Sequence, residues 1–281
     1  MIDVTFGVLN YNPGNNIQAE VALRQCLESL HANINPQISS EVYVIDQASK
    51  IHAQQMIIRD YCNDFGWRSL LLEKNVGISR GINMLARIAR SKYICLVTSD
   101  IVFTENLDIS LIHALQSNSN LWQVCPACDN SELEHQRIGY QQEGLAYTLA
   151  AQELAVQMWP KETFDKIGYF DERWKACFEN MDFALRIFLA GGNVAVTHDV
   201  HCLHEHAMTI KSGARNSTYD DYINMPNGFN QELLHRIWDM KWPGLPWSML
   251  YRSPPDEETR QYLIRVFGNN IYLPYIQEVG Y

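Results

Sequence analysis

The sequence predicts an α/β fold with a mostly parallel central sheet flanked by helices, and three observations lead to it. Apolar runs typical of strands alternate with helical patterns through the first hundred residues, which indicates right-handed βαβ units. The run Tyr93–Val97 (YICLV) is continuously apolar, as expected for a strand covered on both faces. At 281 residues the chain is long enough for one sizeable α/β domain, or for a core domain with an appendage.

Hydrophobic periodicity assigns the segments up to Asp100 in order. Ile82, Leu85 and Ala89 recur at the spacing of one helix face, which predicts an amphipathic helix that packs on the sheet. Asp100 follows the next strand, at the carboxyl end where open α/β sheets bind ligands. The predicted strands are Val4–Leu9, Glu41–Ile45, Ser69–Leu72 and Tyr93–Val97, and the predicted helices before the amphipathic one are Ile17–Leu30 and His52–Phe65.

Beyond Asp100 the alternation is less regular, and the end of the chain changes in composition. From about residue 212 the sequence is rich in aromatic residues with Pro and Gly between them, which suggests helices packed onto a core. We therefore predict a main domain over residues 1–211 and a helical extension over residues 212–281. The other predicted helices are Leu107–Gln116, Glu162–Ile167 and Glu179–Leu189, and the other predicted strands are Leu121–Cys125 and Asn193–Thr197.

Charge and composition exclude several classes of protein. The net charge is −10, from 22 Lys and Arg against 32 Asp and Glu, so nucleic acid is not an expected partner. The first residues lack the pattern of a signal peptide, and no run of eighteen apolar residues predicts a transmembrane segment. Seven scattered cysteines suit a reducing, cytoplasmic compartment. A homo-oligomer is compatible with the sequence, which does not determine the oligomeric state.

Acidic residues stand at two predicted strand ends and on one predicted helix. Asp46 and Asp100 follow strands, whereas Glu179 and Asp182 are three residues apart and share a helix face. If that face meets the rim at Asp100, a metal site and a general base lie in one cleft. The alternative is structural: Glu179 favours the positive helix N-terminus and Asp182 pairs with Arg186.

Motifs in the first half resemble those of family 2 glycosyltransferases with the GT-A fold. Val4–Asn12 (VTFGVLNYN) is similar to the opening strand and Tyr-Asn loop of that family, and Val44–Ser49 (VIDQAS) to its VDNGS-type motif. Asn75-Val76-Gly77, Arg80 and Asn83 follow its N-x-G…N pattern before the strand that carries a DxD-type motif. The resemblance covers roughly residues 2–210 and implies a nucleotide-sugar-binding half (1–105) and an acceptor-side half (106–211).

The second half adds three matches to the same family. Gly168–Glu172 (GYFDE) resembles its GGFDE stretch, Phe178–Arg186 (FENMDFALR) its EDxD-type helix, and Lys241–Gly244 (KWPG) a KWGG element of some members. His204 matches a histidine that follows the last core strand, and His201 is nearly as good a candidate.

This resemblance implies transfer of a sugar from a nucleotide-diphosphate donor to a glycan or other hydroxyl acceptor, with inversion. A divalent cation, Mn²⁺ or Mg²⁺, would be held by Asp100 and His204 against the diphosphate. Asp46 would accept a hydrogen bond from the base, and Arg80 would contact a phosphate or the base edge. The remaining residues implied for the donor are Asn10, Tyr11, Asn12, Asn75, Asn83, Thr98 and Ser99, and those implied for the acceptor side are Trp159, Tyr169 and Trp174. These aromatic residues are equally well interpreted as core.

The sequence departs from the family at two positions. The DxD-type triplet reads Thr98-Ser99-Asp100, with only its last carboxylate. Asn180 stands where the family has its usual general base, and an amide does not take up a proton at neutral pH. Glu179 or Asp182 then becomes the catalytic residue, and we favour Glu179.

Three other hypotheses remain open at this point. Asn180 motivates a catalytically impaired protein that binds nucleotide sugars without turnover. A nucleotidyltransferase of related fold would need a Gly-rich, basic loop after the first strand, and residues 10–16 do not provide it. A structural zinc on Cys125 and Cys128 would need further ligands such as Cys202, so the interpretation as reduced, packed cysteines is preferred.

Overall fold

The computed structural model describes residues 2–12, 17–49, 52–129, 131, 133–149, 156–175, 178–204, 231–251 and 256–268. No helix in these ranges combines the length and apolar character that a membrane span requires. The strands of this part of the chain are β1 (Val4–Asn10), β2 (Ser40–Asp46), β3 (Arg68–Leu71), β4 (Tyr93–Thr98), β5 (Ile101–Phe103), β6 (Leu121–Cys128), β7 (Leu145–Thr148), β8 (Val156–Pro160) and β9 (Asn193–His204). Its α-helices are α1 (Ile17–Asn33), α2 (His52–Phe65), α3 (Ile78–Ile88), α4 (Leu107–Ser117), α5 (Glu162–Ile167), α6 (Glu179–Leu189), α7 (Gln231–Lys241) and α8 (Glu257–Phe267).

The described strands form one sheet in the order β3-β2-β1-β4-β8-β6-β9-β5, with β7 also paired to β9. Strands β3, β2, β1 and β4 are parallel, as are β6 and β9. Strand β8 runs antiparallel to both β4 and β6, and β5 and β7 run antiparallel to β9. The predicted α/β class is confirmed, and the parallel arrangement holds for the first half. The sequence analysis did not predict β5, β7 or β8.

Helices cover the sheet on both faces, and the alternation along β1 shows how. Val8 belongs to the apolar cluster that includes Leu23 of α1. The next residue, Leu9, belongs to the cluster that includes Ile82 of α3. Successive side chains of a strand point to opposite faces, so β1 contributes to both layers of the core. Helices α1, α2 and α4 lie on one face, and α3, α5 and α6 lie on the other.

Helices α7 and α8 pack on the outer side of α6. A third apolar cluster joins Leu185 and Phe188 of α6 to Trp238 of α7 and Leu263 of α8. Trp242, directly after α7, is fully buried in the same cluster. The boundary that we predict near residue 211 lies outside the described residues, so the division into a main domain and an extension stays a prediction.

Candidate active site at the carboxyl end of β4

Asp100 and His204 lie side by side at the rim of the sheet. Asp100 lies in the turn between β4 and β5, and the antiparallel pairing of β5 with β9 sets Ile101 opposite His204. The Nε2 atom of His204 is 3.4 Å from Oδ2 of Asp100. Burial alone would raise the pKa of this carboxyl, but the hydrogen bond and charge of His204 hold the pKa of Asp100 below its ordinary value. The two residues predicted as metal ligands therefore converge on one point.

His201, the alternative candidate for the same role, contacts a different carboxylate. Its Nδ1 atom lies 2.9 Å from Oε1 of Glu105, and its backbone N–H donates to the same oxygen at 3.1 Å. The backbone N–H of His204 donates instead to Asp129 at 2.8 Å. Since only His204 approaches Asp100 at this rim, the structure favours His204 of the two.

The loops after β1 and β2 are joined by a buried hydrogen-bond network. Asn10 and Asp46 are paired in register, and Nδ2 of Asn10 donates to Oδ1 of Asp46 at 2.8 Å. Ser49 donates its backbone N–H to Oδ2 of Asp46 at 3.0 Å, and its hydroxyl accepts the N–H of Asn12 at 2.9 Å. Tyr11 is half-buried beside this network. Asp46 is fully buried and holds the two loops together, so its predicted contact with a base stays a prediction.

Asn75 and Asn83 shape the backbone around α3. Oδ1 of Asn75 accepts the N–H of Gly77 at 2.8 Å. The amide of Asn83 is buried and holds the GYFDE stretch: it donates to the carbonyl of Phe170 at 2.9 Å, donates to Glu172 at 3.0 Å, and accepts the N–H of Phe170 at 2.8 Å. Nε of Arg80 lies 4.0 Å from the same Glu172. In this structure, Asn83 therefore holds protein segments together, and its predicted contact with the donor stays a prediction.

Thr98 and Ser99 complete the rim beside Asp100. Both residues are half-buried, and the backbone N–H of Ser99 donates to the carbonyl of Leu9 at 3.2 Å. This bond extends the pairing of β1 with β4 to the point where Asp100 begins the turn.

Glu179, the first residue of α6, is a buried carboxyl group. Only 3% of it is exposed, and its Oε2 atom has no hydrogen-bond partner among the described residues. Burial raises its pKa from 4.5 to about 7, although a backbone N–H opposes the shift. Phe178 precedes it with a φ of 63°, a left-handed conformation that is strained for an aromatic residue. A carboxyl group that titrates near neutral pH is suited to general base catalysis.

The side chain of Asn180 joins the start of α6 to β8. Its Oδ1 atom accepts a hydrogen bond from Gln157 of β8 at 3.2 Å, and Gln157 is opposite Leu96 of β4. Gln157 in turn accepts from Gln123 of β6 at 3.0 Å. The amide of Asn180 is therefore one end of a buried chain of hydrogen bonds that continues through β8 to β6, and Glu179 precedes it directly.

Asp182, the other candidate base, is fully occupied within the core. It is completely buried, and its oxygens accept from Arg186 at 3.1 Å, from Lys241 at 2.9 Å and from the indole of Trp242 at 3.0 Å. The pairing with Arg186 that the sequence predicted is present, and the two other contacts were not foreseen. Of the two acids on this helix face, Glu179 is the one with an unused oxygen.

With this geometry established, comparison with known proteins identifies the family. The model of the family described as Glycosyl transferase family 2 matches residues 10–188. The chain belongs to this family. No curated protein sequence matches the chain significantly.

Solved structures with the same fold include TarS of S. aureus. The crystal structure of TarS matches with a TM-score of 0.57 and 16% identity over 95% of this chain and 43% of that chain. The structure of TarS 1-349 with UDP-GlcNAc matches with a TM-score of 0.58 and 14% identity over 94% of this chain and 70% of that one. The chain thus spans less than half of the longer TarS chain. At these identities the likeness shows the GT-A fold alone.

Asp100 and His204 carry the donor atoms that a divalent cation would need at this rim. Asp100 offers carboxylate oxygens and His204 an imidazole nitrogen, 3.4 Å apart. Within the described residues, no group of three or more His, Cys, Asp or Glu side chains could hold a metal alone. Mg²⁺ is typically held by one or two carboxylates together with substrate phosphates, and the pair at the rim provides that number of protein ligands.

The aromatic residues predicted for the acceptor side differ in exposure. Trp159 and Trp174 are fully buried, and Trp159 packs edge-to-face on Phe170 and Phe183. Tyr169 is half-buried, with the guanidinium of Arg87 4.8 Å from its ring centre. The structure thus favours the core interpretation for both tryptophans, and Tyr169 is the one of the three that is partly exposed.

The cysteines on β6 and β9 pack in the core in the reduced state. Cys125, Cys128 and Cys202 are buried and free, and the sulfur atoms of Cys128 and Cys202 are 3.3 Å apart. The part of the chain described here holds no cluster that could form a structural zinc site around them.

Proposed function

We propose that this chain transfers a sugar from a nucleotide-diphosphate donor to a hydroxyl group, with inversion at the anomeric carbon. The observation that carries the proposal is the pair of Asp100 and His204 at the carboxyl end of β4, 3.4 Å apart, in a chain of Glycosyl transferase family 2. Open α/β sheets bind ligands at this edge. The donor diphosphate would lie there, and a UDP-sugar is the first donor to test because TarS 1-349 is known in complex with UDP-GlcNAc.

A divalent cation bound by Asp100 and His204 would supply positive charge to the leaving diphosphate. The low pKa of Asp100 keeps its carboxylate ionised at neutral pH, as a cation ligand must be. The loops tied together by Asn10 and Asp46 would form the wall against which the nucleoside packs. Exclusion of water by these buried loops strengthens electrostatic contacts within the cleft.

Glu179 would take the proton of the acceptor hydroxyl as its oxygen attacks the anomeric carbon. With a pKa of about 7, roughly half of the carboxyl groups are ionised at neutral pH and each can accept a proton. Asn180 cannot do this, and the oxygens of Asp182 are already bound by Arg186 and Lys241. Glu179 therefore replaces the usual base, one residue earlier on the same helix.

Donor hydrolysis and transfer with UDP-sugars, measured with Mn²⁺ and with EDTA, test the proposal. We expect turnover that needs the cation, loss of most of this turnover in Asp100→Asn, and a fall in kcat of about 10²- to 10⁴-fold in Glu179→Gln. Glu105→Gln is a matched control, because Glu105 faces His201 and not Asp100. Wild-type protein that binds donor tightly but never turns it over, with any acceptor offered, would overturn the enzymatic proposal.

Such a result would instead support a nucleotide-sugar-binding protein, for which the amide at Asn180 is the specific observation. The exchange Asn180→Asp separates the two functions. A gain in turnover would mean that position 180 limits catalysis. An unchanged rate in an active wild type would mean that Glu179 is sufficient.

A further inference from the structure

Lys241, the last residue of α7, carries a charge that is almost completely buried. Only 1% of its side chain is exposed, and Nζ lies 2.8 Å from Oδ2 of Asp171 and 2.8 Å from Oδ1 of Asp182. A lysine is rarely buried to this extent unless its charge is paired. The ammonium group therefore binds two carboxylates at once, one in the GYFDE stretch and one in α6.

The two carboxylates have other partners, so the cluster is a closed network. Asp171 also accepts from Arg173 at 2.6 Å, and Asp182 accepts from Arg186 at 3.1 Å and from Trp242 at 3.0 Å. Arg173 and Lys241 hold the pKa of Asp171 at about 2 in spite of its burial. Asp171 is therefore ionised at any physiological pH, and each of the two acids is bound to a cation of its own before Lys241 is counted.

The position of the two acids along the chain gives Lys241 its role. Asp171 and Asp182 lie on either side of Glu179, eight residues before it and three residues after it. Arg173 binds Asp171, which is only two residues before it in the chain. Arg186 joins α6 to the carbonyl groups of Ile167 and Tyr169. Lys241 is the described residue whose single charged group contacts both acids that bracket Glu179.

We propose that Lys241 is a positioning residue for Glu179, acting from the C-terminal helices by fixing both ends of the segment that presents this carboxyl group. Its catalytic consequence rests on the proposed function above. Loss of the ammonium group lets Asp171 and Asp182 move apart, and Glu179 then loses its alignment with the acceptor. A displacement of about 1 Å at a reacting group lowers the rate by roughly 100-fold. Donor affinity is unchanged, because the rim at Asp100 is not part of this network.

The test compares Lys241→Met with Leu263→Ala in the full chain. Leu263 of α8 is buried in the same C-terminal cluster, and its apolar side chain cannot hydrogen-bond to either acid. Its truncation therefore destabilises the C-terminal helices without removing the bridge that Lys241 forms between Asp171 and Asp182. Hydrogen–deuterium exchange of peptides over residues 171–182 reports whether the Lys241 bridge holds this segment. The values of kcat and KM for the donor report the effect of the bridge on catalysis. In Lys241→Met we expect faster exchange confined to these peptides and a fall in kcat of about 10- to 100-fold at unchanged KM. Leu263→Ala should show neither change at a temperature where it is folded.

The double variant Asp171→Asn/Lys241→Met covers the case in which Lys241→Met does not fold. It removes one negative charge together with the positive one, so no extra buried anion is left without its cation, and it still lacks the bridge. Local exchange and kcat should stay altered in it. Wild-type exchange and kcat in a folded variant without Lys241 would overturn the proposal. If wild-type protein never turns over a donor, the proposed function fails. The exchange data still decide whether Lys241 holds residues 171–182 in place.

Discussion

The buried carboxyl group of Glu179 makes the stability of the protein depend on pH in a defined direction. Its pKa rises from 4.5 to about 7 on folding. Below pH 4.5 the group is neutral in both the folded and the unfolded chain, so its contribution to stability is fully present. As the pH rises towards 7 the unfolded chain ionises first, and this contribution is lost progressively until the folded carboxyl group also titrates. The gap is roughly two and a half pH units at about 1.4 kcal/mol each, so the free energy of unfolding falls by about 3 kcal/mol.

Glu179→Gln isolates this contribution, because the amide resembles the protonated acid and does not titrate. Urea unfolding of both proteins without ligands, at intervals from pH 4.5 to pH 8, gives the difference in their unfolding free energies, in which all other titrating groups cancel. We expect the variant to gain about 3 kcal/mol relative to wild type over this range. Glu258→Gln, at an exposed residue of α8, controls for the substitution itself. A difference for position 179 that stays constant within about 0.5 kcal/mol would refute the assignment of a desolvated carboxyl group.

Three further substitutions test the contacts that hold the site in place. Asn83→Ala removes the hydrogen bonds to Phe170 and Glu172, and urea unfolding should show a loss of about 2–3 kcal/mol, with smaller values contradicting the positioning role. Gly77→Ala should lower the free energy of unfolding by more than about 1 kcal/mol in the same assay, because φ is +85° and the new Cβ would lie 2.9 Å from Cα of Lys175. An unchanged free energy of unfolding would mean that this turn relaxes freely. Trp159→Ala should destabilise by about 3–5 kcal/mol, because the indole is fully buried, whereas a pure loss of acceptor affinity with unchanged Tm would restore the sugar-binding interpretation.

The first half of the fold could be predicted because its signals are local. Each strand from β1 to β4 is an apolar run next to an amphipathic helix, and Asp100 follows the last of them. The partnership of Asp100 with His204 depends on β5, a strand of three residues paired to β9. Such a short strand carries no period. The sequence could therefore propose His204 only by its place after a strand, and it could not separate it from His201.

Family motifs indicate candidate site residues but not what their side chains contact. Asn83 matches the pattern of the family, yet its amide is used within the protein to hold residues 170–172. Asp46 likewise binds Asn10 and Ser49 in the core. A motif records only residue types and their spacing. An asparagine is written the same way whether its amide is buried and fixes a loop or is exposed and binds a donor. Burial decides between them, and it depends on segments far away in the chain.

Asp182 shows how the distant part of the chain changes the assignment of the base. Helical spacing predicted its pairing with Arg186, four residues on, and this contact is present. Lys241 and Trp242, about sixty residues further along, occupy the same carboxylate, and no periodicity connects segments so far apart. Together with Arg186, they occupy both oxygens of Asp182. The C-terminal helices thus occupy Asp182, and in the proposed mechanism Glu179 is the residue on which the chemistry depends.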